Sequence, residues 1–261
     1  MRTLSDFMSD AITEHLLKTR TAHSTSRESV TTIDEFLDIL MPRIDNAARG
    51  ETIDLNDIDV SGMTNMYYML SISTLLREMR RRGSEQYYHD PLNFLQTLNY
   101  DVSDWDVSNV ETMEGLFNSQ FSFNCDLSRW DTRSLSNMRA MFASCHSFDS
   151  DVNNFNVSKV TDAASAFVQC RAFNSPLDKW DVSGIADMTR MFAYCELFNQ
   201  PLDMWQPKSV IHADMMFYKC SKFKQNIDSW ETVLHRIIKF GHEMFKHSGI
   251  NRKKPKWYLG S

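Results

Sequence analysis

The sequence predicts an α/β solenoid with one short parallel strand and one short helix in each 25-residue turn. Three observations predict it: a fixed repeat, an alternation of apolar and polar residues, and a helical apolar stripe inside each repeat. A fixed period of about 20 to 50 residues is typical of solenoids, in which each turn buries its apolar face against the next. The aromatic residue that marks the repeat recurs every 25 residues at Trp105, Trp130, Phe155, Trp180, Trp205 and Trp230.

Residues 127–148 show how one repeat is built. Trp130 and Thr132 alternate with polar neighbours, which predicts a short strand. The stripe that follows has the i, i+3, i+4, i+7 spacing of an amphipathic helix, in Met138, Met141, Phe142 and Cys145. Most residues directly before the stripe are of types favoured as helix N-caps, namely Thr112, Asn137, Asp162, Asp187 and His212.

Two other regions flank the repeats. Residues 1–50 are predicted to form a helical N-terminal cap, with apolar stripes over 4–17 and 33–41, and Pro42 is expected to interrupt or end the second helix. A separate pair of partner-binding helices is the alternative. Residues 231–261 are predicted to form a C-terminal capping helix, over 232–245, and a basic tail.

The solenoid is predicted to span residues 51–230. The segment 59–66 copies the segment 106–113 at an offset of 47, which is one repeat plus an insertion of 22 residues near 71–91. Insertions in repeat proteins map to loops on one face, often the binding face. This insertion is therefore an alternative to the repeats as the place where a partner binds.

Cysteine and asparagine form further columns. Cys145, Cys170, Cys195 and Cys220 are expected to form a reduced ladder of small buried side chains, with a disulfide or metal role as the alternative. Cys125 lies outside this column and is expected to be the more exposed thiol. The column of Asn99, Asn124, Asn174 and Asn199 is expected to be an internal amide ladder, with solvent-facing recognition as the alternative.

The repeat W-D-V-S-x-V-x-x-M-x-x-M-F-x-x-C-x-x-F-N-x-x-L resembles the BspA-like leucine-rich-repeat surface protein family, most closely over residues 180–202. The resemblance covers roughly 58–70 and 98–230. It implies a leucine-rich-repeat-like solenoid used for adhesion or protein–protein contact, with no associated catalytic residues. Members of that family are often secreted or anchored, whereas this sequence shows no signal peptide or transmembrane segment. An intracellular or virion-associated location is therefore expected rather than secretion.

No motif in the sequence indicates an enzyme, a cofactor or a metal site. His242-Glu243 with His247 is one residue too long for the zinc-binding HExxH helix motif. The recurrent acids Asp106, Asp131 and Asp181 occupy equivalent places, whereas a catalytic pair of carboxylates needs two unlike environments. We therefore expect a non-enzymatic protein without a cofactor.

The expected function is a protein–protein interaction scaffold whose partner the sequence does not name. Its predicted contact surface, here called the Trp-flanking face, consists of the polar or exposed residues beside each aromatic residue of the repeat. They are Asp104, Asp106, Arg129, Asp131, Arg133, Asn154, Asn156, Lys179, Asp181, Met204, Gln206 and Lys208. A structural role in a larger particle such as a virion is the first alternative.

The second alternative is a nucleic-acid-associated protein. Net charge is −6, but residues 231–261 carry +5 and residues 77–82 carry +3, which leaves −14 on the rest of the chain. Basic segments can contact phosphates, and Trp257 and Tyr258 are expected to be available for stacking on bases. The candidate basic contacts are Arg77, Arg80, Arg81, Arg82, Arg252, Lys253, Lys254 and Lys256.

Overall fold

A computed structural model of the protein describes residues 27–231, 241–250 and 253–258. Helices and paired strands are concentrated before residue 102 in the described ranges. Their order is β1 (Glu28–Ser29), α1 (Ile33–Asn46), β2 (Thr52–Asp54), β3 (Ile58–Asp59), α2 (Ile72–Arg82), α3 (Pro91–Thr97) and β4 (Asn99–Asp101). Short 3-10 helices occupy Ser84–Tyr87 and Asp228–Trp230. The helix predicted over 4–17 lies outside the described residues.

Backbone pairing between repeats is parallel and follows the sequence period. β1 pairs with β3, and β2 pairs with β4 at an offset of 47 residues. Single parallel bridges then join equivalent residues of successive repeats, in the order Asn65, Thr112, Asn137, Asp162, Asp187 and His212. After the first offset of 47, every step is 25. Equivalent residues of successive repeats are therefore neighbours in parallel register.

Helix α1 packs against the repeat that contains Trp105. Thr32 and Glu35 form a capping box at its N-terminus. Phe36 is buried, and its ring packs edge-on against that of Trp105, with centroids 5.6 Å apart. The expectation that Pro42 interrupts or ends this helix is wrong, because α1 continues to Asn46. Proline cannot donate a helical hydrogen bond, and the burial of the apolar face of α1, from Phe36 to Ile44, offsets that loss.

The insertion between the first two repeats folds as two helices. The Ser71 hydroxyl caps α2, which ends at Gly83, a residue in the left-handed conformation that favours glycine. The Asp90 carboxylate caps α3 by accepting the Asn93 N–H. Leu75 of α2 and Leu95 of α3 are fully buried, so the insertion adds to the core.

The helix predicted inside each repeat is not present between residues 102 and 227, all of which are described. The N–H groups of Met138 and Phe142 instead donate to carbonyls of the following repeat, as do those of Ala140 and Ser144 between and after them. Ala140 and Ser144 have φ angles of 51° and 62°, which an α-helix does not tolerate. The segment is therefore a series of tight turns whose hydrogen bonds largely cross to the next repeat.

The strand predicted at 130–133 is also absent there, because these residues lie in turns. The parallel bridges form about five residues later, at the column of Asn137 that was expected to cap a helix. The side chain of Asn137 accepts the N–H of Arg139 and so caps a turn. Asp162 and Asp187 act in the same way on the second residue after them.

The apolar stripe is buried although its conformation is not helical. Met138, Met141, Phe142 and Cys145 are all fully buried. Rings of equivalent phenylalanines stack between neighbouring repeats at centroid distances of 5.5 to 5.7 Å, in the order Phe117, Phe142, Phe167, Phe192, Phe217 and Phe245. One continuous core cluster therefore runs through the repeats, with a column of stacked phenylalanines inside it.

The four-cysteine column consists of buried free thiols, each bonded to the backbone. Cys170 Sγ donates to the Phe142 carbonyl, and Cys195 Sγ to the Phe167 carbonyl. Cys125 is more accessible than the other four cysteines, as expected, but at 6% exposure it is buried too, and its Sγ accepts the Val102 N–H. Burial raises the pKa of Cys125 to about 12.

The hydrogen bonds of the predicted amide ladder are confirmed, whereas its expected internal position is not, because Asn124 is exposed and Asn99, Asn174 and Asn199 are half-buried. The side-chain oxygen of Asn124 accepts the N–H of Asp149, and that of Asn174 accepts the N–H of Asn199. At the equivalent position of the next repeat the residue is Asp149 instead of asparagine, and its carboxylate accepts the N–H of Asn174 in the same way. Each side chain thus bonds to the backbone of the next repeat.

The C-terminal segment continues the stack after a change of spacing. The N–H of Phe217 donates to the Met244 carbonyl, and Phe245 stacks on Phe217 at 5.7 Å. The prediction that 241–245 belongs to a capping helix is therefore wrong, while 232–240 lies outside the described residues. Trp257 stacks on Trp230 at 6.4 Å and occupies the next place in the tryptophan column.

Candidate interaction surface

The Trp-flanking face lies over the buried aromatic column. Trp180, for example, is 4% exposed, and its indole N–H donates to the Val152 carbonyl 28 residues earlier. Lys179 and Asp181 on either side of it are exposed. The same alternation recurs through the face, with Asp131 half-buried and the other eleven residues exposed. The rigid aromatic column therefore fixes the spacing of the exposed side chains.

The acidic residues of this face shape the turns that carry them. Oδ1 of Asp106 accepts the N–H of Ser108, and Asp131 and Asp181 do the same for the residue two places on. Hydrogen bonds from the Ser183 hydroxyl and backbone lower the pKa of Asp181. The predicted face is therefore a row of turns rather than a strand, and its carboxylates have a local structural role.

Several charges on the face are paired with each other. Arg129 lies 2.5 Å from the carboxylate of Asp104 in the preceding repeat, and Arg133 pairs with Asp131. Arg133 lowers the pKa of Asp131. Past this charged part, Met204 presents 72% of its side chain to solvent beside Lys208. The face thus passes from paired charges to an apolar and basic part along the repeats.

The arginines of the insertion are mostly occupied within the protein. Arg80 binds Glu85 at 3.0 Å, Arg81 binds Glu78, and Arg82 binds Glu78 at 2.7 Å as well as Asp38. Arg77 is exposed on the same helix. Most of the positive charge predicted at 77–82 is therefore paired with carboxylates of the protein itself.

Glu78 is the buried centre of that arginine network. Hydrogen bonds from Arg81 lower the pKa of Glu78, burial raises it, and hydrogen bonds from Arg82 lower it further. The net effect is a pKa of about 2 instead of 4.5. A depressed folded-state pKa stabilises the protein above the unfolded pKa and ceases to do so as pH falls through the folded value. The contribution should therefore be lost between about pH 4.5 and pH 2.

We expect Glu78→Gln to lower the free energy of unfolding by about 1–2 kcal/mol at pH 7. This is less than the pKa shift alone implies, because Arg81 is exposed and solvent screens its charge. The difference from the unmodified protein should shrink toward pH 2. Urea unfolding at several pH values measures it. Glu111→Gln, at an exposed glutamate without a salt bridge among the described residues, should change little. A difference that stays constant down to pH 2 would contradict the assignment.

The aromatic residues of the tail are not available to stack on bases. Trp257 is 6% exposed, and its indole N–H donates to the Ile227 carbonyl at 3.1 Å. The Tyr258 hydroxyl donates to the Gly241 carbonyl, and its ring packs edge-on against Phe245. The expectation for Trp257 and Tyr258 is therefore wrong, because both rings close the last described turn.

The basic residues of the tail remain accessible. Lys253 and Lys256 are exposed, Lys254 lies 5.1 Å from the centre of the Tyr258 ring, and Arg252 lies outside the described residues. The structure adds Lys224, from the preceding repeat, which lines one cavity together with Lys253, Lys254 and Lys256. Sequence reasoning missed Lys224 because its contact with the tail depends on the final, irregular turn.

The remaining candidates for chemistry have structural environments. Glu243 pairs with Lys246, and the ring of His247 packs edge-on against that of Tyr218. His242 and His247 both lie in turns rather than on one helix face. Within the described ranges, no group of three or more His, Cys, Asp or Glu residues could hold a metal ion. No helix in those ranges is long and apolar enough to cross a membrane.

Comparison with known proteins gives a family assignment. No curated protein and no solved structure matches the chain. A family described as "Mycoplasma protein of unknown function, DUF285" matches residues 89–177 and, again, residues 150–257. The two matches overlap, as expected when the matched unit is itself repeated, and together they cover more than half of the chain. The chain therefore belongs to the DUF285 family.

Proposed function

We propose that this protein is a non-enzymatic protein–protein interaction scaffold that binds its partner through the Trp-flanking face. The observation that supports this most is the alternation of exposed side chains with a buried, stacked aromatic column. A pre-organised surface loses little conformational entropy on binding. We also propose that the chain is a solenoid similar to those of the BspA-like leucine-rich-repeat proteins. The 25-residue register of the parallel bridges supports this.

The charge pattern of the face favours a protein partner over nucleic acid. Acidic and basic residues alternate on it, and Asp104 and Asp131 are paired with arginines. Polyphosphate backbones need clustered positive charge, whereas mixed polar surfaces around an apolar residue such as Met204 are typical of protein interfaces. Three arginines of the insertion are likewise paired with carboxylates.

The test compares two variants with the same change in net charge. The face variant combines Asp131→Lys, Arg133→Glu and Asp181→Lys, and the control variant combines Glu111→Lys, Arg171→Glu and Glu196→Lys on other exposed residues. Each is used as the immobilised full chain for affinity capture with quantitative mass spectrometry, with and without nuclease. A partner retained by the control and reduced at least about tenfold by the face variant supports the proposal.

Equal capture by both variants would overturn the proposed surface. Capture that disappears on nuclease treatment would overturn the choice of a protein partner. Circular dichroism of both variants shows whether the replacements preserve the fold. None of the replaced side chains is buried, but the face variant also removes the turn hydrogen bonds of Asp131 and Asp181, so capture is compared between variants whose spectra match.

A further inference from the structure

A cavity of about 600 Å³ lies between the last regular repeat and the basic tail. We call it the lysine cavity. Its lining includes Lys224, Asn226, Asp228, Lys253, Lys254 and Lys256. Its volume is within the range of ligand-binding clefts, about 300 to 1,000 Å³. Four lysines against one aspartate make this lining strongly basic.

The lysine charges of this cavity are not paired with carboxylates among the described residues. In the described ranges, no salt bridge joins Lys224, Lys253, Lys254 or Lys256 to a carboxylate. From residue 232 to 261 the sequence has one acidic residue, Glu243, and its carboxylate is paired with Lys246. Neighbouring unpaired ammonium groups repel one another, and a bound anion relieves that repulsion. The arrangement contrasts with the insertion, where arginines meet carboxylates.

The other lining groups suit a peptide better than a nucleic acid. The Asn226 oxygen accepts the Asp228 N–H, which leaves the amide NH₂ of Asn226 free to donate to a peptide carbonyl. Ile250 and Pro255 add apolar contact. The nearest aromatic rings, Trp257 and Tyr258, are packed against the core and cannot stack on bases, which single-stranded nucleic acids require for tight binding.

We propose that the lysine cavity binds an acidic segment of a protein partner. The carboxylates of the segment face Lys224, Lys253 and Lys256, and its backbone accepts a hydrogen bond from Asn226. This site shares no residue with the Trp-flanking face as defined above, and the proposal does not depend on that face. The two surfaces can therefore be tested independently, each with variants that leave the other unchanged.

The probe is a fluorescein-labelled oligoglutamate peptide, titrated with the full chain and followed by fluorescence anisotropy at low salt. The variant Lys224→Gln, Lys253→Gln, Lys256→Gln should weaken binding at least about tenfold, because it removes three of the four cationic groups. Lys254 is retained since it packs on Tyr258. The control Arg77→Gln, Lys159→Gln, Arg190→Gln makes the same change in charge at other exposed residues and should bind normally.

Two further probes separate the outcomes. The same peptide with glutamine in place of glutamate should not bind, and a single-stranded oligonucleotide of equal charge should bind less tightly than the peptide. Equal binding by the cavity variant and the control variant overturns the site. Tighter binding of the oligonucleotide overturns the acidic-peptide assignment and makes the cavity a nucleic-acid site.

Discussion

Replacement of Trp205 by alanine is expected to lower the free energy of unfolding by about 4 kcal/mol. Trp205 is 1% exposed, and its ring stacks between those of Trp180 and Trp230 at centroid distances of 6.2 and 6.1 Å. Its indole N–H also donates to the Leu177 carbonyl at 2.9 Å. Alanine would leave a cavity at the middle of the column and remove contacts with both neighbouring repeats. Urea unfolding followed by circular dichroism measures the loss.

The sequence itself supplies the matched control. Phe155 stands in the tryptophan column and stacks on Trp130 at 6.3 Å, so Trp205→Phe copies a residue that the column already accepts. It should cost about 1–2 kcal/mol, because the ring stack persists while the Leu177 carbonyl loses its donor. A loss below about 1 kcal/mol for Trp205→Ala would mean that the column does not hold the repeats together.

The register and burial of the repeats could be predicted because the period is constant. When every interval is 25, equivalent side chains must form columns if the repeats stack, whatever the backbone between them does. The fully buried Met138 and Phe142 and the bonds of Asn124 and Asn174 to the next repeat follow from that alone. The acids Asp106 and Asp181 also have the local turn-forming role that their repetition indicates.

The conformation within each repeat could not be predicted in the same way. Consecutive tight turns bring Met138, Met141 and Phe142 to one side of the chain, as a helix would, so the spacing does not distinguish the two. The two conformations differ in the acceptors of the backbone N–H groups. Those of Met138 and Phe142 bond to the following repeat, and left-handed residues such as Ala140 direct them there. Such bonds between repeats are not visible in the residues of a single repeat.

The packing of the C-terminal segment could not be predicted, because its spacing departs slightly from the 25-residue period. Phe245 follows Phe217 by 28 residues and Trp257 follows Trp230 by 27, so neither fits the period although each occupies the next place in its column. The Met244-Phe245 pair was the available signal. Because the irregular turn brings Lys224 near Lys253, the lysine cavity could not be predicted without it.

Replacement of Gly249 by alanine is expected to cost about 2–3 kcal/mol, although the change adds one methyl group. A Cβ at this position would lie 2.7 Å from the carbonyl oxygens of both Phe223 and Ser221. Neither oxygen can move freely, because the Gly249 N–H is bonded to the Cys220 carbonyl at 3.0 Å and holds the two segments together. The last turn must therefore shift away from the repeat below it, which should be seen as a lower urea midpoint.

Gly62→Ala is the matched control for this prediction. Its added Cβ would meet the methyl group of Thr31 at 3.0 Å, and an exposed threonine side chain can rotate away. Its cost should stay below about 1 kcal/mol. If the two glycine variants unfolded at the same urea concentration, the close approach of the last turn to the stack would be wrong. If only Gly249→Ala were destabilised, residues 241–250 would be established as a packed turn of the repeat column rather than an appended tail.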